Sequence, residues 1–151
     1  MTTNDESAGT YEVRDYVKWD NKYAIGIPGI DAQHKRLIEL CNETYKKLMQ
    51  GGSSSESGAW KPPVREALTE CVDYAIIHFG TEEKLMAEAN YPDLPRHKKE
   101  HDKFTRKVQK DFEGFDEMTF TNALQFVKFL YDWILSHVAH EDKLIANFIQ
   151  K

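Results

Sequence analysis

Four side chains that bind metals well fall within one short stretch of the sequence: His78, Glu82, His97 and His101. The first two are four residues apart, and so are the last two. Four residues turn an α-helix through about 400°, so each pair would lie on one helical face, one turn apart. Residues 90–95 are rich in turn-forming types and should end one helix and begin the next. The stretch therefore predicts two antiparallel helices that form half of a metal site.

Either pair alone would be weak support for a metal site, because most pairs at this spacing are solvated surface pairs. A buried site needs further ligands from other helices. Two more histidines, His34 and His137, fall on the apolar stripes of the first and last predicted helices. The remaining histidine, His140, follows His137 by three residues and could face the same side. Five of the six histidines converging on one layer, beside Glu82, favours a metal site.

The helices that must position these side chains follow from apolar residues at three- and four-residue steps. The predicted helices span about 31–50, 62–89, 94–112 and 119–149. The expected starts are Asp31, Pro62-Pro63, Asp93 as a cap, and Thr119 or Thr121. Short connections favour antiparallel neighbours, so the expected fold is all-α, an up-down-up-down four-helix bundle.

The expected organisation is a disordered leader over residues 1–10 and a single domain over residues 11–151. This domain would begin with an irregular arm over residues 11–30, packed by its large apolar side chains. Gly26, Pro28 and Gly29 are expected to keep the arm from forming a helix. Gly and Ser residues over 51–58 predict a flexible loop.

Composition excludes several classes of protein. The net charge of −5 argues against a nucleic-acid-binding surface. No apolar run approaches the roughly 20 residues needed to cross a membrane. The polar N-terminus lacks the features of a secretory signal, and two cysteines do not make a disulfide scaffold. The expected location is the cytoplasm, with neither nucleic acid nor membrane as a partner.

The types of donor atom limit which metals could bind but do not identify one. Imidazole and carboxylate without a thiolate pair suit iron, manganese, copper or zinc. The chain contains no His-Glu-x-x-His motif of the zinc proteases. It also contains no Glu-x-x-His motif, two of which mark the ferritin-like di-iron bundles, so that class is excluded.

Four segments together resemble a known family. They are Asp31-Ala32-Gln33-His34-Lys35, His78-Phe79-x-x-Glu82-Glu83, His97-Lys98-Lys99-Glu100-His101 and His137-Val138-x-x-x-Asp142. In order and spacing they are similar to the iron-ligand pattern of the hemerythrins, in particular the single-domain bacterial hemerythrins. The resemblance covers about residues 19–148.

The resemblance implies two non-haem iron ions with a bridging oxo or hydroxo group. It implies that His97, His101 and His137 hold one iron, that His34 and His78 hold the other, and that Glu82 and Asp142 bridge them. Counting these donors leaves one coordination position open, on the iron with two histidines. An open position is where a small ligand binds.

The function implied is reversible binding of O2, or of another small diatomic ligand, for transport, storage or sensing. The resemblance places the O2 pocket at Phe79, Trp133, Ile134 and Val138, although these could equally be ordinary core residues. No catalytic residue is expected. The alternatives are a di-iron oxidase, peroxidase or nitric-oxide-handling enzyme, and an iron-handling protein; a separate protein partner is also left open.

The spacing of His137 and Asp142 departs from helical regularity. Five residues turn an ideal helix through about 500°, which would point the two side chains some 140° apart. If Asp142 is a ligand, the backbone between them should bulge, kink or break. Glu141 is the competitor at helical spacing from His137. The family pattern favours Asp142.

The two cysteines should be neighbours in the core. Cys41 lies seven residues after His34, and Cys71 lies seven residues before His78. On antiparallel helices, both positions are displaced about 10.5 Å in the same axial direction. One hypothesis is a redox-sensitive disulfide, and the alternative is two small buried residues.

Overall fold

The computed structural model describes residues 18–51 and 58–150. Its elements are a 3-10 turn (Asn21–Tyr23), α1 (Pro28–Gly51), α2 (Lys61–Glu88), α3 (Leu94–Glu113), a 3-10 turn (Phe115–Glu117), α4 (Phe120–Ser136), a π-helical turn (His137–Glu141) and α5 (Asp142–Ile149). The chain passes from α4 through the π turn into α5 without a break, so these three elements form the fourth rod of a bundle. The predicted all-α four-helix bundle is confirmed.

The first helix begins earlier than the sequence predicted. It starts at Pro28, because the fixed φ of proline suits the first turn of a helix. The expectation that Pro28 and Gly29 exclude helix is therefore wrong, and so is the assignment of Asp31 as the start. The Asp31 carboxylate instead accepts hydrogen bonds from the backbone N–H groups of Ile25, at 2.7 Å, and Gly26, at 3.1 Å. This contact fixes the end of the arm against α1.

The connection between α2 and α3 sets the direction of the two ligand-bearing helices. Asn90 has a φ of 57°, in the left-handed region that asparagine tolerates better than most residues. The N–H of Tyr91 then donates to the carbonyl oxygen of Met86, at 2.9 Å. Asp93 precedes α3 as expected, but its side chain binds Arg96 and makes no capping hydrogen bond. Thr119 does cap α4, accepting from the N–H of Asn122.

The main core runs along the bundle between all four rods. At one end Trp60 packs edge-on against Phe115 and Phe120.

Within the described part of the arm, Tyr23 and Ile25 are buried. The described residues do not include the leader, residues 11–17 of the arm or residues 52–57 of the loop. The predicted domain limits therefore stay predictions. Across the described ranges, no helix combines the length and apolarity that crossing a bilayer requires.

Candidate metal centre

All seven side chains predicted to bind metal meet in one buried cluster. Each is no more than 5% exposed, and the set is His34, His78, Glu82, His97, His101, His137 and Asp142. His140 is not part of it, since its side chain is 74% exposed. The cluster draws on α1, α2, α3, the π turn and the first residue of α5.

The cluster divides into two overlapping groups of donors. One contains three histidines, His97, His101 and His137, and the other contains two, His34 and His78. Glu82 and Asp142 belong to both groups, and the ligand atoms within each group lie within 4.8 Å of one another. Two groups that share two carboxylates could hold two metal ions side by side.

On the two-histidine side, one oxygen of each shared carboxylate faces the rings. Nε2 of His78 lies 3.0 Å from Oε2 of Glu82, and Nε2 of His34 lies 3.0 Å from Oδ2 of Asp142. The helical spacing of residues 78 and 82 brings ring and carboxylate together within α2.

On the three-histidine side, the other oxygen of each carboxylate faces the rings. Oε1 of Glu82 lies 3.3 Å from Nε2 of His101, and Oδ1 of Asp142 lies 3.1 Å from Nε2 of His137. The Nε2 atoms of His97 and His101 lie 3.0 and 2.9 Å from that of His137. Each carboxylate therefore offers one oxygen to each group, which is the arrangement that bridging two cations requires.

The π turn brings Asp142 into the cluster. Its N–H donates to the carbonyl oxygen of His137, five residues earlier, so the turn contains one more residue than an α-helical turn. The irregularity expected between these residues is confirmed. Glu141, the competitor, points outwards: its carboxylate lies 2.6 Å from the guanidinium of Arg96. The extra residue rotates Glu141 out of the site and Asp142 into it.

The charges in the cluster perturb one another strongly. Burial would lower the pKa of His34, but the carboxylates of Asp142 and Glu82 outweigh it and raise this pKa to about 9. The same competition between burial and the two carboxylates raises the pKa of His137 to about 10. Burial opposes ionisation of Glu82 and Asp142, yet the histidines hold the pKa of each carboxyl below its usual range. The cluster thus places two ionised carboxylates, Glu82 and Asp142, against histidines that favour the positively charged form.

Several buried polar atoms of the cluster lack a hydrogen-bond partner among the described residues. Although Nε2 of His78 lies 3.0 Å from Oε2 of Glu82, this contact is not a hydrogen bond, and the atoms without a partner include both oxygens of Glu82, Oδ1 of Asp142 and Nε2 of His78. A buried carboxylate oxygen without a hydrogen bond is costly unless a cation neutralises it. Nitrogen and oxygen donors in this proportion suit iron or another first-row transition metal, so the residues fit a metal centre.

Comparison with known proteins also points to cation binding. The sequence profile of the hemerythrin HHE cation-binding domain matches residues 26–149. The chain belongs to the hemerythrin family. Its relatives include the bacteriohemerythrin of Stenotrophomonas maltophilia (strain R551-3), 30% identical over 87% of this chain and 80% of that protein. The hemerythrin-like protein of Naegleria gruberi is 30% identical over 82% of this chain and 86% of its own length.

A solved structure of the family shares the fold. The crystal structure of wild-type hemerythrin aligns with a TM-score of 0.73, covering 90% of this chain and 99% of that one, at 22% sequence identity. Family membership and the buried cluster together support a di-iron, O2-binding protein.

Two residues that belong to the quoted family motifs, but are not among the predicted site residues, form hydrogen bonds with histidines of the hemerythrin-type site. Nδ1 of His78 donates to Oε1 of Gln33 at 2.7 Å, and Nδ1 of His101 donates to Oε2 of Glu83 at 2.9 Å. Such partners fix the orientation of a ligand histidine and tune its donor strength. The one available signal was position, because Gln33 precedes His34 and Glu83 follows Glu82.

Aromatic rings cover the three-histidine side of the hemerythrin-type cluster. Phe79 stacks on His101 with centroids 4.0 Å apart, and Trp133 stacks on His137 with centroids 4.7 Å apart and planes within 10°. Ile134 and Val138, the other two residues predicted for the O2 pocket, are both buried. All four side chains are apolar or aromatic, and their role in O2 binding stays a prediction.

Proposed function

We propose that this chain binds O2 reversibly at two non-haem iron ions and serves as an O2 carrier, store or sensor. The observation that carries the proposal is the sharing of Glu82 and Asp142, each with one oxygen towards either histidine group. Membership of the hemerythrin family, with relatives named bacteriohemerythrin, supports the choice of iron and O2.

In this proposal the protein supplies seven side chains to the metal pair. His97, His101 and His137 hold one iron, and His34 and His78 hold the other. Glu82 and Asp142 would be shared between the two ions, since each belongs to both groups. Two carboxylates partly balance the charge of two divalent ions, which lets the pair remain in a buried site.

The unequal donor count supports an O2 position in the group with fewer histidines. The group of His34 and His78 has one histidine fewer than the other group, so O2 would bind on that side. When bound, two ferrous ions can together supply two electrons to O2 and recover them when O2 leaves. Phe79 contacts the rings of both His78 and His101, and Ile134 and Val138 are buried, so these apolar side chains would help to keep water from the metal pair.

The first test is the visible absorption spectrum of the chemically reduced, iron-loaded protein. It would be recorded without air, then with air, then after O2 has been removed. A charge-transfer band that appears with air, disappears on removal of O2 and returns with air is the expected result. Immediate conversion to a stable oxidised spectrum would overturn reversible binding.

Two further outcomes correspond to the alternative functions. Continuous O2 consumption with an added reductant would indicate an oxidase, and ready loss of iron to a chelator would indicate an iron-handling protein. A spectrum that is independent of iron would contradict the ligand assignment itself. A cytoplasmic location and a protein partner stay predictions.

A further inference from the structure

The two cysteines of the chain form a buried pair away from the proposed ligands. Cys41 on α1 and Cys71 on α2 are both free, and their Sγ atoms lie 3.7 Å apart. Their predicted proximity is confirmed. Neither residue takes part in the proposed O2 binding, so the pair is a separate chemical feature of the bundle.

The pair joins the same two helices that supply the two-histidine group. Cys41 follows His34 by seven residues, and Cys71 precedes His78 by seven. The thiols therefore lie about 10.5 Å along the bundle axis from those histidines. A bond between the thiols would cross-link α1 to α2 without using a metal ligand.

We propose that Cys41 and Cys71 are a site of reversible oxidation, at which hydrogen peroxide converts the two thiols into a disulfide. A covalent S–S bond is about 2.05 Å long, so the sulfur atoms need to approach by less than 2 Å, roughly the reach of a small side-chain rotation. This inference does not depend on which metal the cluster binds.

The surroundings of the two thiols assign their roles. Cys41 lines a small apolar void between α1 and α4, together with Ile38, Tyr131 and Ile134, whereas Cys71 does not border that void. Cys71 is also completely buried. Peroxide therefore reaches Cys41 first, and Cys71 is the thiol that completes the disulfide.

The reaction balances with one peroxide molecule per disulfide. The Cys41 sulfur attacks one peroxide oxygen, an S–O bond forms, the O–O bond breaks, and the leaving hydroxide takes the thiol proton as water. The Cys71 sulfur then attacks the resulting sulfenic acid, so that an S–S bond forms and a second water leaves. Two thiols are oxidised by two electrons, and the peroxide is reduced to two waters.

The reaction is expected to be slow at neutral pH. Burial, with a smaller contribution from Cys71, raises the pKa of the Cys41 thiol well above its ordinary range. The thiolate is the nucleophile, so little of the reactive form is present. The pair should respond to sustained peroxide exposure, and its oxidation should accelerate as the pH rises.

The test uses the iron-loaded protein, treated with hydrogen peroxide and then analysed by intact mass and peptide mapping. The expected product has lost two hydrogens, contains a Cys41–Cys71 cross-link and regains its mass with a thiol reductant. Its midpoint of thermal unfolding should rise, because the cross-link restricts the unfolded chain. Two free thiols after prolonged exposure would overturn the proposal.

Single variants test the assigned roles. In Cys71→Ala, Cys41 should gain oxygen atoms in place of a cross-link, whereas in Cys41→Ala, Cys71 should stay unmodified. Helical circular dichroism would first show that each variant is folded, and Cys→Ser variants replace any that is not. Equal oxygen uptake by both single variants would contradict the order of attack. Because mass is the readout, a failure here leaves the O2-binding proposal untouched.

Discussion

The backbone N–H of Asp142 donates to the carbonyl oxygen of His137, and their side chains also meet, with Nε2 and Oδ1 3.1 Å apart. An α-helix separates residues five apart by some 140° around its axis, so only the π turn allows this pair to meet. π turns inside α-helices are frequent at functional sites. The local backbone irregularity therefore brings a carboxylate into the buried cluster that is proposed to bind metal.

The pair Asp142→Asn and Glu141→Gln tests this assignment. The first change removes a charge shared by both donor groups, and we expect it to reduce the iron content of the purified protein by at least one ion per chain. The second changes an exposed ion pair with Arg96 and should leave iron content unaltered. Elemental analysis of matched preparations measures both, and a reversed result would make Glu141 the ligand.

Glu83→Ala should weaken the three-histidine half of the centre. His101 would lose the carboxylate that receives its Nδ1 proton, and loss of such a partner costs roughly ten- to a hundredfold in metal affinity. Competition with a chromophoric chelator measures the change. Glu88→Ala, at an exposed glutamate of the same helix, is the control and should bind metal like the parent. Equal affinities in both variants would remove Glu83 from the site.

Metal loading should stabilise the bundle strongly. At a free metal concentration about a thousandfold above Kd, binding to the folded state alone contributes about 4 kcal/mol. For a chain of this length that corresponds to a rise of roughly 10 °C in Tm. Scanning calorimetry of metal-free and iron-loaded protein provides the comparison. If the metal-free and iron-loaded proteins unfold at the same temperature, the buried polar atoms of the cluster do not need a metal ion.

Metal-free protein should lose stability as the pH rises from neutral. Burial and the two carboxylates set the pKa of His34 at about 9 and that of His137 at about 10, against 6.5 for the ordinary side chain. A histidine whose pKa is higher in the folded than in the unfolded state stabilises the folded state, and this contribution is complete below pH 6.5. The contribution disappears as the pH rises through the folded-state values of about 9 and 10. Denaturant midpoints across that range measure the effect. A midpoint that stays constant over this range would show that the histidines are already neutral at about pH 7 in the folded, metal-free chain.

Val138→Thr should shorten the lifetime of the O2 complex. Threonine keeps the shape of valine but places a hydroxyl, a proton donor, among the apolar residues beside His137. Autoxidation followed by visible absorption should accelerate severalfold, because a dry site suppresses proton delivery. Val108→Thr, equally buried on α3, is the control for the cost of burying a hydroxyl. If both variants autoxidise alike, general loosening of the core explains the effect.

The sequence predicted which side chains would share a helical face because their spacing repeats the geometry of a helix, whereas the full ligand set was what the family resemblance implied. Pairs four residues apart, such as His97 and His101, must share a helical face wherever the helix packs. The five-residue step to Asp142 predicted an irregularity, although not its form, since several kinds of backbone distortion could produce the same rotation.

Other features depend on contacts between helices that no local pattern contains. Gln33 and His78 are 45 residues apart in the chain, and their hydrogen bond exists only because α1 and α2 pack in one register. The start of α1 was misplaced for a different reason. The sequence leads one to expect that Pro28 excludes helix, yet proline is favourable in a first turn, and no sequence signal distinguishes a proline before a helix from one in its first turn.

The stacking of Trp133 on His137 gives the molecule an optical reporter. An iron centre would quench the fluorescence of an indole ring 4.7 Å from the ring of a proposed ligand, because its absorption bands accept the excitation energy. The emission of Trp133 would therefore report how much of the site is filled. Trp60 lies at the far end of α2, about 27 Å of helix from His78, and would remain bright. Trp19 and Trp60 also emit, so the fraction of the total emission that is lost would follow metal loading in real time, without an added dye.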